Sequence, residues 1–123
     1  MKALVIDDSR AMRTILKGIL TGLGFEVFQA EDGLDALEKL AEVGSLDLAL
    51  VDWNMPAMNG FEFVQAVRKL TEYDALKLMM VTTETEMEQV VQALEAGADE
   101  YVMKPFTREV ILEKLQMLGI SPD

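Results

Sequence analysis

Residues 46–52, Leu-Asp-Leu-Ala-Leu-Val-Asp, decide the fold. Leu46 to Val51 is a short run, almost wholly apolar on both of its alternating faces, and it suits a strand buried on both sides, as in a parallel sheet. It ends on an acid, Asp52. After Asn59-Gly60 the apolar spacing changes to Val64, Val67 and Leu70, which mark a helix. Strand, acid, turn and helix form the unit to look for on either side.

That unit recurs along the chain. Ala3 to Ile6, Phe25 to Phe28, Leu78 to Val81 and Tyr101 to Met103 are further short apolar runs. Between them, Met12, Ile15, Leu16, Ile19, Leu20 and Leu23 fall on one helical stripe, with Ser9 as N-cap and Gly22 or Gly24 as the stop. Leu37, Leu40 and Ala41 mark a second helix after Asp32-Gly33. Met87, Val90, Val91 and Leu94 mark a fourth that runs into Gly97, and Val110, Ile111, Leu115 and Leu118 mark the last. Five strand-helix pairs predict an α/β fold: a doubly wound, five-stranded parallel sheet with helices on both faces, because right-handed crossovers leave little else. In such sheets ligands sit beyond the carboxyl ends of the strands, where the strand order reverses.

The chain has 123 residues and reads as one domain over residues 1–123, with no effector domain. A chain of this size buries roughly two-thirds of its unfolded surface, enough for a core without disulfides. Its 22 acidic and 11 basic side chains give a net charge of −11, which opposes direct binding to nucleic acid. Lacking cysteine, it fits a reducing cytosol. Lacking histidine, it has no His-ligated zinc, no Ser-His-Asp or Cys-His catalysis and no phosphodonor histidine of its own. The opening apolar run meets Asp7 and Asp8 too soon for a signal peptide, and no stretch approaches a membrane span. The expectation is a cytoplasmic protein without membrane insertion.

The strand ends carry the chemistry. The first strand runs into Asp7-Asp8, the third into Asp52, the fourth into Thr82-Thr83 and the fifth into Lys104-Pro105. Taken singly, Asp7 or Asp8 reads as a helix cap or turn residue; capping does not require the whole set. The first and third strands of a doubly wound sheet are neighbours, which brings three carboxylates together. Two of them about 4 Å apart repel by about 4 kcal/mol at an effective dielectric of about 20, so the cluster needs a cation or protons. Magnesium, with manganese as an alternative, is the hard divalent ion such oxygens suit. One carboxylate could then act as a nucleophile toward phosphorus, with Lys104 beside the phosphoryl oxygens. There is no Walker-type phosphate loop and no dinucleotide glycine fingerprint.

Over essentially its whole length the sequence resembles the receiver domains of bacterial two-component response regulators. The motifs are VIDD (Val5 to Asp8), AEDGLDAL (Ala30 to Leu37), VDWNMPAMNG (Val51 to Gly60), VTTE (Val81 to Glu84) and EAGADEYVMKPF (Glu95 to Phe106). Within the family, DWNMP and GADEYVMKPF are most similar to the single-domain, CheY-like type. The resemblance implies a flavodoxin-like three-layer sandwich with strand order 2-1-3-4-5, for which CheY is a standard example. It implies Asp52 as the phosphoacceptor. Asp7, Asp8, Asp52 and the backbone carbonyl of Asn54 would hold the metal, Thr82 and Lys104 would bind the phosphoryl group, and Tyr101 would be the aromatic switch. A cis peptide before Pro105 would aim Lys104 inward, and Asn54 with Glu84 would tune phosphoryl lifetime. The function so implied is that of a stand-alone response regulator, a phosphoprotein rather than an enzyme, assisting only its own phosphorylation and dephosphorylation. Its donor would be a sensor histidine kinase or a histidine phosphotransfer domain. Its downstream protein target would dock on the face made by the fourth helix, fifth strand and fifth helix, in chemotaxis or a related pathway.

Two alternatives belong to other classes. One is a phosphorelay intermediate or phosphate sink. The other is a phosphate-ester hydrolase with an aspartyl intermediate, which the haloacid-dehalogenase pattern does not support, because Asp7-Asp8-Ser9 lacks its spacing. Charge is polarised as well. Ser9 to Phe25 holds Arg10, Arg13 and Lys17 and no acid, a face suited to an acidic phosphotransfer domain. Glu84 to Glu100 holds Glu84, Glu86, Glu88, Glu95, Asp99 and Glu100 and no base. CheY-type proteins present basic residues to an acidic motor peptide near the start of the fourth helix, where this chain has Glu86 and Met87. Like charges there argue against a flagellar motor partner.

Overall fold

The computed structural model describes residues 1–83 and 87–121, apart from the side chain of Met87. Side-chain caps start four of its helices. Ser9 Oγ accepts the Met12 N–H at 3.2 Å at the head of α1 (Arg10–Gly22). Asp32 Oδ1 accepts the Asp35 N–H at 2.8 Å at α2 (Gly33–Val43). Asn59 and Glu62 exchange two bonds, 2.8 and 3.0 Å, in a capping box at α3 (Gly60–Arg68). Thr107 Oγ1 accepts the Val110 N–H at 3.1 Å at α5 (Arg108–Met117). Each oxygen satisfies an otherwise orphaned N–H of a first turn. α4 spans Met87–Ala96. Of the two stops expected for α1, Gly22 ends the helix and Gly24 takes the left-handed turn beyond it, at φ 97°.

The strands are β1 (Lys2–Ile6), β2 (Glu26–Ala30), β3 (Leu48–Asp52), β4 (Lys77–Thr82) and β5 (Glu100–Met103). They pair in parallel in the order β2-β1-β3-β4-β5, as expected of this fold class. Alternation along each strand sends side chains to two cores. Leu4, Ile6, Ala49, Val51, Leu78 and Met80 meet one side of the sheet, with Phe63, Val64 and Val67 of α3, Ala36 and Leu40 of α2, and Ala93 of α4. Ala3, Val5, Leu48, Leu50, Met79 and Val81 meet the other, with Leu16 and Leu20 of α1 and Ile111 and Leu115 of α5. Every residue of β3 is buried, which is why its sequence showed no polar face.

Several residues expected in apolar stripes stand outside these cores. Ile15 is 51% exposed and Val91 54%; Leu70, Leu94 and Ala41 are exposed too. The spacing identified the right helices but drew their buried arcs too wide: on α4, Val90 and Ala93 turn inward and Val91 and Leu94 lie beyond the contact. The second strand starts one residue later than its apolar run, because pairing with β1 begins at Lys2 opposite Glu26; Phe25 is still buried, in the loop.

Register sets the working rim. Ile6 pairs with Val51, so Asp7 comes level with Asp52. Asp52 pairs with Val81, which puts Thr82 one step further out. Thr82 pairs with Met103, which puts Lys104 one step beyond that.

Candidate functional site

Asp7, Asp8 and Asp52 each offer a carboxylate oxygen within 4.8 Å of the other two. Asp7 and Asp52 are buried and Asp8 is exposed. Asp7 Oδ1 accepts the Ser9 N–H at 2.8 Å. Its Oδ2 is buried with no hydrogen-bond partner, and the nearest cation, Lys104 Nζ, stands 3.8 Å away. Lys104 Nζ instead donates to Asp52 Oδ1 at 3.3 Å. Burial pushes the Asp52 carboxyl up to about 6, with the Asp7 charge adding to the rise and Lys104 opposing it. Burial also raises Asp7, against the Ser9 N–H and Lys104, which lower it.

One ammonium faces three carboxylates, so the site is short of positive charge. The buried, unbonded Oδ2 of Asp7 and the all-oxygen donor set fit a hard divalent cation, magnesium or manganese, held by Asp7, Asp8 and Asp52. Thr82 is buried at the next strand end, its hydroxyl 3.4 Å from the Thr83 carbonyl. The Lys104–Pro105 peptide is cis, as the family pattern implied. Asn54 is exposed in the loop after β3, and Tyr101 is half-buried on β5. Glu84 and Glu86 lie outside the described residues.

Other residues hold this rim in place. The Arg13 guanidinium donates to the Asp7 carbonyl at 2.7 Å and to Gln29 Oε1 at 3.2 Å, joining α1, the end of β1 and β2. From the sequence Arg13 was one of three docking cations; its hydrogen bonds make it part of the pocket's frame. Asp99 and Glu100 likewise leave the acidic run, since Arg68 and Lys114 engage them at 2.9 and 3.2 Å. Glu88 and Glu95 of that run are exposed.

Gly60 also holds the rim, from the start of α3. Its N–H donates to the Trp53 carbonyl at 3.0 Å, and a Cβ on it would run into the Asp52 carbonyl oxygen and approach Met80 Cε at 3.0 Å. Helix propensity alone favours Gly60→Ala, by less than the roughly 1 kcal/mol of a helix interior because Gly60 is the first residue of α3. Overpacking against the β3 backbone should reverse the sign and cost about 2 kcal/mol. A lowered urea midpoint, with a shifted emission from buried Trp53, is the expected result; a raised midpoint would show that the strand end yields freely.

An acid cluster with a lysine and a hydroxyl, at the carboxyl ends of a 2-1-3-4-5 parallel sheet, defines a class of signalling domain. The model of the response regulator receiver domain family matches residues 3–116, and the chain belongs to that family. Within it the chain is a receiver of the CheY type. It is 44% identical over 119 residues to the chemotaxis protein CheY1 of Helicobacter pylori, covering 96% of each chain. It is 45% identical over 117 residues to a chemotaxis protein CheY homolog of Campylobacter jejuni, covering 94% of this chain and 90% of that one. Its fold matches chemotaxis response regulator CheY4 of Vibrio cholerae with a TM-score of 0.86 at 40% identity, over 95% of this chain and 97% of the other. Among the described residues no helix is long and apolar enough to cross a membrane.

Proposed function

We propose that Asp52 accepts a phosphoryl group from the phosphohistidine of a sensor kinase or phosphotransfer domain, and that the protein works as a cytoplasmic response regulator in a chemotaxis-type pathway. The observation that carries this reading is the buried carboxylate of Asp52 between Lys104 and two further acids at the strand ends. One Asp52 oxygen attacks phosphorus, a P–O bond forms, the P–N bond breaks, and the imidazole leaves with the electron pair and takes a proton from water. Asp7, Asp8, the Asp52 carboxylate and the Asn54 carbonyl would hold magnesium or manganese. That ion, when bound, screens the acids and the phosphoryl oxygens from one another. Lys104 pairs with a phosphoryl oxygen, and Asn54 and Glu84 tune how long the acyl phosphate survives. The chemistry is confined to the protein's own aspartate, so the output is a changed partner preference rather than a released product.

Output follows as a population shift. The Thr82 hydroxyl bonding the phosphoryl group contributes about 1.5–3 kcal/mol. Reversing a 1:99 equilibrium needs about 5.5 kcal/mol, so Lys104 must share the task. Tyr101 reports the change to a protein partner on the surface of α4, β5 and α5.

Acetyl phosphate with magnesium tests the core of this reading. The intact protein should gain the mass of one phosphoryl group, released by hydroxylamine, and the emission of Trp53, 5.6 Å from the Phe61 ring, should respond. Label that persists in Asp52→Asn would assign the acceptor elsewhere.

A further inference from the structure

Lys114 stands on α5, which packs on the same side of the sheet as α1, whereas Tyr101 packs with the core on the opposite side. β5 is an edge strand, so no neighbouring strand separates the two and the lysine stem reaches round the edge. Its Nζ lies 4.5 Å from the centroid of the Tyr101 ring. The same ammonium donates to Glu100 Oε1 at 3.2 Å, and that oxygen also accepts the backbone N–H of Tyr101 at 2.9 Å. Glu100 thereby ties the cation to the residue whose ring it covers. The Lys114 and Glu100 side chains are 22% and 15% exposed, and partial desolvation strengthens attraction between an ammonium and a ring face. An ordinary surface ion pair would contribute little and would leave the ring indifferent.

We propose that Lys114, anchored by Glu100, is a positioning residue for Tyr101: it holds the ring in the part-exposed position seen here and sets how readily the ring leaves when Asp52 is phosphorylated. The proposal rests on Tyr101 being the mobile aromatic of the switch. Any rotation of the ring away from the edge strand must give up the cation contact, while the Glu100 pair remains behind. The latch therefore weights the resting state. By reciprocity, removing it favours whatever occupies the phosphoryl site.

The chain has two tyrosines, Tyr73 and Tyr101, so ring signals of labelled tyrosine are assignable by NMR with Tyr73→Phe. Beryllofluoride with magnesium serves as the phosphoryl mimic, titrated by Trp53 emission. Lys114→Met should move the resting Tyr101 signal toward its beryllofluoride position and lower the beryllofluoride midpoint about two- to five-fold. Lys114→Arg, which keeps a cation over the ring, should restore both. In a Tyr101→Leu background, Lys114→Met should leave the midpoint where it was. A wild-type ring signal that ignores beryllofluoride would overturn the switch reading and the latch with it. A signal that responds in the wild type, with Lys114→Met identical in resting position and midpoint, would overturn the latch alone. Unchanged urea midpoints for the lysine variants would assign the shifts to the ring rather than to loss of folded protein.

Discussion

Asp52→Asn is expected to end phosphoryl acceptance and, in the same molecule, to raise the stability of the metal-free protein by about 3 kcal/mol at pH 7. The native carboxyl titrates at about 6 against 3.8 in the unfolded chain. Between those values the folded state binds more protons than the unfolded state, so stability falls as pH rises through this window. Above it the full penalty of a buried charge is present; below about pH 4 it is gone. Asparagine fills the same space without the charge and leaves Lys104 paired with Asp7. In EDTA the variant should melt about 10 °C above the wild type at pH 7, and the gap should close on acidification toward pH 4. Magnesium should narrow the gap at pH 7, because the intact acid set binds it more tightly and gains more from ligation. A difference that stays constant from pH 4 to 8 would show that the buried charge is not its source. The same unfavourable charge serves the proposed chemistry, since a carboxylate stripped of water is a better nucleophile toward a phosphoryl group.

Most of the architecture was legible because the apolar pattern changes period where the elements change. Runs such as Leu46 to Val51 hold one polar residue, Asp47, too few for a polar face, and the acids that end them could be placed on one rim from the strand order alone. Ser9, Asp32 and Asn59 stood where helix starts require an acceptor. The width of each buried arc was less legible. Spacing says which residues share a helix face, not whether a neighbour covers it, so Ile15, Val91 and Leu94 were drawn into the core. The rim placed Lys104 beside the acids, but charge partners away from the strand ends were not legible. Arg13, Asp99 and Glu100 each belonged to a run of one sign, and a run suggests a solvated face or a docking surface. Their partners come from non-local elements: Asp99 meets a guanidinium 31 residues away and Glu100 an ammonium 14 residues away. No local pattern encodes those distances.

Arg68→Met should be among the most destabilising substitutions of a non-core residue, at about 2–4 kcal/mol. In the sequence Arg68 is merely a cation in the last turn of a helix, suited to the helix dipole. In the structure its guanidinium bonds four acceptors. Nε donates to the Gly97 carbonyl at 2.9 Å, Nη1 to the Tyr73 carbonyl at 2.9 Å, and Nη2 to the Leu76 carbonyl at 2.8 Å and to Asp99 Oδ2 at 2.9 Å. Asp99 Oδ2 also accepts the Leu78 N–H at 2.9 Å, which closes the network onto β4. One planar side chain thus ties the end of α3 to the turn before β4 and the turn between α4 and β5, and it packs where a Cβ on Gly97 would meet its Cγ at 2.6 Å. Methionine keeps the stem but takes the side-chain donor from the Gly97 and Leu76 carbonyls, each costing about 1–3 kcal/mol where water cannot reach it, while the Tyr73 carbonyl keeps the Leu76 N–H at 3.1 Å and Asp99 Oδ2 keeps the Leu78 N–H at 2.9 Å. Lysine restores charge without the fork, so Arg68→Lys should recover less than half of the loss, read from urea midpoints. A double-mutant cycle with Asp99→Asn should show coupling of about 1–2 kcal/mol. Full rescue by lysine would mean that charge alone matters at this site. If the fork matters, Arg68→Lys should also loosen the join between α4 and β5, seen as faster hydrogen exchange at Gly97 and Ala98 than at Leu4 or Leu50 of the sheet interior, because the proposed output surface is seated on that join.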